Sequence, residues 1–341
     1  MTPPTISVAM ATYNGGRFLR EQLRSIGAQT RLPDELVISD DRSTDDTLEI
    51  AHDFAANAPF PVVVHRNETT LRYARNFRAA ASHCTGDVIA FTDQDDWWDP
   101  NRLERSAGCF DDPEVLLTYH NARLVDDHRQ PFGVLYEAAA EREALRLKPV
   151  APWHHTYGLV QMFRADLRRF DDLWDSSLNE IIAPMDIMSH DQWYVFLAQA
   201  LGRVEFLDEC LVDYRQHSSN TVGASQMRPT IEKRLLARLE HHGSQDDRNA
   251  QAASARATIL REIADREPRH APRLEDIAQH YERLAARHRN RFATYSAKGM
   301  PRRAGNLVRS WFGGDYRDWP WGFDPRSVVR DLWSGVLLSR L

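Results

Sequence analysis

The sequence predicts an α/β protein in which a mostly parallel sheet is flanked by helices and followed by a helical extension. Three observations carry that prediction. Short apolar runs at residues 6–10, 35–39, 61–65 and 87–92 alternate with stretches of helical periodicity, and such alternation builds parallel sheets covered on both faces. The first two runs end in turn formers, Asn14-Gly15-Gly16 and Asp40-Asp41. From residue 228 to about 297 apolar residues recur only at helical spacing: Ile231, Leu235 and Leu239, then Ile259, Leu260 and Ile263, then Leu274, Ile277, Tyr281 and Leu284.

The elements follow in order. The strand at 6–10 breaks at Thr12-Tyr13-Asn14-Gly15-Gly16, and Phe18, Leu19, Leu23 and Ile26 then mark a helix. The strand at 35–39 breaks at Asp40-Asp41 and leads into a helix with Ser43 or Thr44 as N-cap and Asp45 and Asp46 near its positive end. A third strand at 61–65, a helix over 72–83, a fourth strand at 87–92 and a helix starting near Asn101 complete the front region. Residues 106–227 are less regular, with a short strand at 115–119 and a helix over 191–201, and there is no internal repeat. Sheets of this kind bind ligands beyond the carboxyl ends of their strands. That rule singles out the loops 12–16, 40–46, 66–72 and 93–99.

The chain has 341 residues, 42% hydrophobic and 27% charged, which suits a packed globular protein. Its net charge of −6 is uneven: residues 1–227 hold 21 basic against 35 acidic side chains, and residues 228–309 hold 18 against 10. An acidic front region argues against a nucleic-acid groove, which depends on cationic contacts to phosphate. A bound divalent cation is one use for those acids. No run of about 18 apolar residues can span a bilayer, and Met1-Thr2-Pro3-Pro4 leads into the first strand without a signal-like segment. A cytoplasmic protein is therefore expected. Cys84, Cys109 and Cys210 are odd in number and not at metal-binding spacing, so reduced, packed thiols are expected.

The sharpest chemical signal is Thr92-Asp93-Gln94-Asp95-Asp96-Trp97-Trp98-Asp99-Pro100, a burst of carboxylates directly after an apolar strand. In an extended segment Asp93 and Asp95 point the same way, so both can face one hard cation. Without a counter-ion, crowded carboxylates raise one another's pKa. The competing reading is an exposed acidic turn that caps the helix from Asn101.

With these residues the chain resembles the inverting family 2 glycosyltransferases, which have a GT-A fold, a Rossmann-like sheet flanked by helices. The resemblance covers roughly residues 5–223. It rests on six motifs in order: Met10-Ala11-Thr12-Tyr13-Asn14, Ser39-Asp40-Asp41-Arg42-Ser43-Thr44-Asp45, Ala74-Arg75-Asn76-Phe77, the segment 86–97 (GDVIAFTDQDDW), His190-Asp191-Gln192-Trp193, and Tyr214-Arg215-Gln216-His217-Ser218-Ser219-Asn220. Asp-Gln-Asp-Asp-Trp followed by Tyr-Arg-Gln-His looks most like the bacterial rhamnosyltransferases of surface polysaccharide synthesis.

The resemblance implies a catalytic domain over 1–227, with a nucleotide-sugar half at 1–105 and an acceptor half at 106–227. Thr12, Tyr13 and Asn14 would border the nucleobase, and Asp40 or Asp41 would bond its N–H. Asp93 would touch ribose or metal, Asp95 would ligate Mn2+ or Mg2+, and His217 would hold the metal or the diphosphate. Arg215 would clamp phosphate, and Arg75, with Arg72, would lie near the donor. Many relatives carry glycine at position 42, which leaves Arg42 to meet phosphate or solvent. Asp191 would be the catalytic base, because an inverting transfer needs one carboxylate to take the acceptor's proton. From spacing alone Asp191 is equally an N-cap of the following helix. Relatives often have glutamate where His190 stands, so the role of His190 is open.

The implied partners are a dTDP- or UDP-linked sugar donor and a glycan or lipid-linked acceptor, with no nucleic acid. A nucleotidyltransferase would want a basic glycine-rich loop, of which Gly15-Gly16-Arg17 is a poor version, and an aspartate-nucleophile hydrolase would want a partner lysine where lysine is nearly absent. A nucleotide-sugar sensor would lack the base. In the tail, 301–341, Trp311, Phe312, Tyr316, Trp319, Trp321 and Phe323 precede a short helix capped by Asp324 and Pro325. There Val328, Val329, Leu332, Trp333, Val336 and Leu337 make one apolar stripe. Core packing on the helical segment 228–300, peripheral membrane contact or a homodimer interface would each cover it.

Overall fold

A computed structural model describes residues 3–180, 186–217, 242–318, 322–323 and 325–337. The chain forms two compact units. One contains Met1–Leu145, His155–Asp171 and Ser189–Met227, and the other contains Arg146–His154, Asp172–Met188 and Arg228–Leu341.

In the first unit, strands β1 (Ile6–Thr12), β2 (Glu35–Asp40), β3 (Val62–Arg66) and β4 (Val88–Thr92) lie parallel in the order β3-β2-β1-β4. Helices α1 (Gly16–Gly27), α2 (Thr47–Asn57) and α3 (Arg72–His83) make the crossovers. Ile6, Val8, Met10, Leu36, Ile38, Val88 and Phe91 are completely buried, as expected for strands covered on both faces. Helix α2 starts later than its caps suggested. Ser43 donates its N–H and hydroxyl to Asp40 while its oxygen accepts from the Asn14 N–H, and the helix begins at Thr47.

Beyond β4 the sheet turns mixed. Strand β8 (Gln161–Arg164) runs antiparallel to β4 and to β6 (Val115–Val125), and β9 (Arg203–Arg215) runs parallel to β6. The short β5 (Trp97–Trp98) pairs antiparallel with β9, with Trp97 opposite Asp213 and Trp98 opposite Val212. That pairing brings the acidic loop beside Arg215 and His217, more than a hundred positions later. Strand β7 (Pro131–Val134) adds to β6, and α4 (Arg102–Gly108), α5 (Ala138–Arg146) and α6 (His190–Leu201) complete the unit.

The second unit is built on α7 (His242–Arg266) and α8 (Ala271–Ser296), which pack through Ala252, Ala253, Leu260 and Ile263 on one side and Leu274, Ile277, Ala278 and Ala285 on the other. The stripe of Ile231, Leu235 and Leu239 lies outside the described residues. Two segments that the sequence placed with the front region belong here. Arg256 pairs with Glu180 at 2.7 Å, donates to the Pro152 carbonyl and stacks over Trp153, and the Tyr281 hydroxyl donates to the same carbonyl at 3.2 Å. Helix α9 (Met300–Gly313) follows, then α10 (Pro325–Arg330), which widens into π-helical turns over Asp331–Leu337.

The tail stripe does not bury as a unit. Val328 and Val336 are buried, but Val329, Leu332 and Trp333 are 65%, 44% and 54% exposed. A polar anchor decides the facing. Asp331 is fully buried and accepts from the Tyr295 hydroxyl at 2.6 Å and from Arg291 Nε at 3.1 Å, which turns part of the apolar stripe outward.

Candidate active site

The loops after β1, β2, β3 and β4 are laced together by hydrogen bonds. Thr12 is buried, and its hydroxyl donates to Asp40 at 3.0 Å. Tyr13 is 56% exposed and presents its ring at the sheet's carboxyl edge. Gln94 pins it there: its side chain accepts from the Tyr13 N–H at 2.9 Å and donates to the Tyr13 carbonyl at 3.1 Å. A Cβ on Gly15 would lie 2.2 Å from Gln94 Oε1, so this approach requires glycine. Asn14, at φ 48°, donates its N–H to Ser43 Oγ and accepts from the Thr44 N–H, both at 2.8 Å.

Both aspartates after β2 act as braces. Asp40 is completely buried and accepts from the Ser43 N–H and from the hydroxyls of Thr12 and Ser43. Asp41, 3% exposed, accepts from Asn67 Nδ2, from the Leu71 N–H at 2.7 Å and from the Arg72 N–H at 2.8 Å. A carboxylate has about four acceptor positions, so Asp41 keeps one on Oδ2. Arg42 sits at φ 68°, where glycine fits without steric cost, and donates to the Glu68 carbonyl at 2.7 Å. Arg75 is exposed on α3.

The acidic loop gathers three carboxylates, Asp93, Asp95 and Asp96, with an oxygen from each within 4.8 Å of the others. Burial, and then the charges of Asp95 and Asp191, push the Asp93 carboxyl up to about 8. Asp96 is buried, accepts from the Arg215 N–H at 3.1 Å and leaves Oδ2 without a hydrogen-bond partner; burial and its two acidic neighbours raise its pKa well above the carboxylate range. His217 Nε2 lies 2.9 Å from Asp95 Oδ2. Hard oxygens, one orphaned buried oxygen and an imidazole nitrogen make a donor set that fits Mn2+ or Mg2+.

Two cations support this loop from behind. Arg102 is 1% exposed, donates to the carbonyls of Phe91 (2.9 Å) and Leu159 (2.7 Å), and lies over the Trp98 ring at 3.6 Å. Burial pulls its pKa down to about 9 against the opposing charges of Asp96 and Asp93. Sequence reasoning missed Arg102, although an arginine opening a helix directly behind a carboxylate cluster is a usable signal. Arg215, expected from the resemblance to clamp phosphate, is built into the site by its own contacts. Its guanidinium is 3% exposed and donates to the Asp95 carbonyl at 3.0 Å, to the Asp127 carbonyl at 3.3 Å and to Glu21 at 2.5 Å, so it positions the Asp95 loop. Glu21 and Gln94 carry no local signal that would single them out.

Asp191 stands at the start of α6, but Ser189 is the N-cap, and Gln192 Oε1 accepts from the Ser189 N–H at 2.9 Å to form a capping box. Asp191 Oδ1 accepts from the Ser189 hydroxyl and the Gln192 N–H, and its Oδ2 accepts from the Gly158 N–H at 3.1 Å. Its charge raises the pKa of Asp93, Tyr73 and Tyr157, so the carboxylate lies near the three-carboxylate cluster.

The structure assigns His190 to packing. The ring stacks on Phe77 at 4.1 Å, meets Phe91 edge-on at 4.8 Å and has no hydrogen-bond partner at either nitrogen. Burial pulls its pKa down to about 4, partly opposed by Asp191. Folded His190 is thus neutral where the unfolded side chain, near 6.5, takes a proton. Its contribution is complete above pH 6.5 and is lost as pH falls toward 4, by up to about 3 kcal/mol. His190→Phe should flatten the stability profile in that window, read from denaturant unfolding at a series of pH values. An unchanged slope would show that His190 is not held neutral.

Parallel strands whose carboxyl ends carry an exposed tyrosine ring, braced loops and a three-carboxylate cluster have the layout of the GT-A fold. The family model for glycosyl transferase family 2 matches residues 7–168 of this chain. It is 28% identical over 234 residues to the dTDP-rhamnosyl transferase RfbG of Shigella flexneri, covering 63% of this chain and 74% of RfbG. It resembles S. aureus TarS 1-349 in complex with UDP, with a TM-score of 0.52 at 16% identity, covering 82% of this chain and 90% of that one. GalNAc-T7 with UDP, GalNAc and Mn2+ gives a TM-score of 0.51 at 15% identity over 64% of this chain and 45% of that one. The chain spans about half the length of the first curated relatives it matches, 46% and 59%. Among the described residues no helix is long and apolar enough to cross a membrane.

Proposed function

We propose that the protein transfers a sugar from a nucleoside-diphosphate sugar to an acceptor hydroxyl with inversion at the anomeric carbon. The observation that carries this reading is Asp191: a part-exposed carboxylate at the start of α6, held in place by backbone N–H groups and near enough to the acidic cluster for its charge to raise Asp93. In the reaction Asp191 accepts the acceptor's hydroxyl proton while that oxygen bonds to the anomeric carbon and the bond to the diphosphate breaks. Hydrogen bonds from the Gly158 and Gln192 N–H groups hold its two oxygens in place. Tyr13 offers a stacking face to the base, and Gln94 keeps that face fixed. The remaining acceptor position on Asp41 suits a base N–H better than fully buried Asp40 does. Asp93, Asp95 and His217 would hold a divalent ion, which when bound neutralises the leaving diphosphate. Arg102 and Arg215 keep that carboxylate loop in register.

The similarity to the dTDP-rhamnosyl transferase RfbG supports a dTDP-linked rhamnose donor. The test is a panel of nucleotide sugars screened by thermal shift with Mn2+ or Mg2+, followed by transfer assays with the donors that bind. One nucleotide sugar should raise the melting temperature only with metal present, because a ligand bound by the native state alone stabilises it. Binding without any sugar transfer or donor hydrolysis would overturn the transferase reading.

A further inference from the structure

Helix α9 is built inside out. Met300, Ala304, Leu307, Val308 and Trp311 fall on one helical face, and Met300, Val308 and Trp311 are 56%, 54% and 48% exposed, with Phe312 beside them at 84%. Arg303 and Ser310, about a quarter turn round the helix from that face, are buried, while Arg302 and Arg309 farther round are exposed. In water this orientation leaves the apolar side where the hydrophobic effect opposes it. The π-helical segment that packs against α9 adds Leu332 and Trp333, and α10 before it adds Val329, all exposed. Large aromatic and aliphatic side chains thus collect on adjacent elements of one unit, more than scattered surface residues would explain.

The charge around this face identifies its occupant. Residues 297–313 carry Lys298, Arg302, Arg303 and Arg309 and no acid, and Lys298, Arg302 and Arg309 are exposed. We propose that this face docks on an anionic lipid surface, with Trp311, Phe312 and Trp333 in the headgroup zone and Arg302 and Arg309 against lipid phosphates. A second copy of the chain fits less well. A two-fold contact through this patch would set the same arginines and lysine against themselves. The inference concerns the helical unit alone and does not depend on the transferase reading.

Co-sedimentation of the full chain with phosphatidylcholine vesicles, with and without phosphatidylglycerol, tests it. Wild type should bind the anionic vesicles more tightly, and added salt should weaken the binding. Replacing Trp311, Phe312 and Trp333 together by Ser should lower partitioning by about 10-fold or more, and each of Arg302→Gln and Arg309→Gln by about fivefold. All these positions are exposed, and unchanged circular dichroism and melting temperature confirm that the variants fold. Wild type that ignores both vesicles, or a triple variant that binds as well as wild type, overturns the proposal. So does a lipid-free dimer that Phe312→Ser converts to monomer, since it would make the face a subunit contact.

Discussion

Asp191→Asn is expected to lower sugar transfer by about 10²- to 10⁴-fold while leaving donor binding, metal binding and the fold in place. Asparagine keeps the shape of the side chain but cannot take a proton from an acceptor hydroxyl. The fold should survive because the start of α6 is held by Ser189 and Gln192. One hydrogen bond is weakened, since the Gly158 N–H loses its carboxylate acceptor, at a cost of about 1 kcal/mol. Single-turnover transfer measured beside donor affinity separates the two effects. Turnover close to wild type would reduce Asp191 to an anchor for the Gly158 loop.

Asp95→Asn should abolish the thermal shift produced by Mn2+ and cut turnover by about 10²- to 10³-fold. The loop itself should remain, because Arg215 grips the Asp95 carbonyl and not its carboxylate. The metal-free state offers a second test through Asp93. Its folded pKa of about 8 lies above the unfolded value, so its contribution to stability is present below the unfolded pKa and is lost as pH rises toward 8. Asp93→Asn should therefore raise the neutral-pH melting temperature of metal-free protein while removing its response to Mn2+. A variant that melts lower without metal, or still responds to it, would show that the carboxylates are not held together for a cation. The pH dependence of Asp93 opposes that of His190 in sign, so the two single variants distinguish them.

Much of the site was legible because it lies in short local patterns. The strands at 6–10, 35–39, 61–65 and 87–92 announce themselves through apolar residues, and the rule that ligands sit beyond strand carboxyl ends puts Tyr13, Asp41 and Asp93 in one region. Asp93 and Asp95 needed only their spacing. The braces were not legible, because nothing in the neighbourhood of Gln94 says that its amide will clasp Tyr13, eighty-one positions away. The same holds for Glu21, whose partner is Arg215. That Arg215 is buried and grips the Asp95 loop was equally hidden, because its partners lie on distant segments.

By itself the sequence determined the element order, the acidic cluster and the base candidate, since these depend on the periodicity and chemistry of neighbouring residues. Tertiary structure decided how those pieces are used. Pairing of β5 with β9 brought His217 to Asp95, and the Gly158 N–H, which bonds Asp191 Oδ2, fixed the carboxylate at the start of α6. Buried Asp331 and Arg303 set which sides of the tail helices face inward. Each of these outcomes rests on desolvation. A polar group buried between distant segments must find its partner there, and the facing of its neighbours follows from that partner, which a local pattern does not encode.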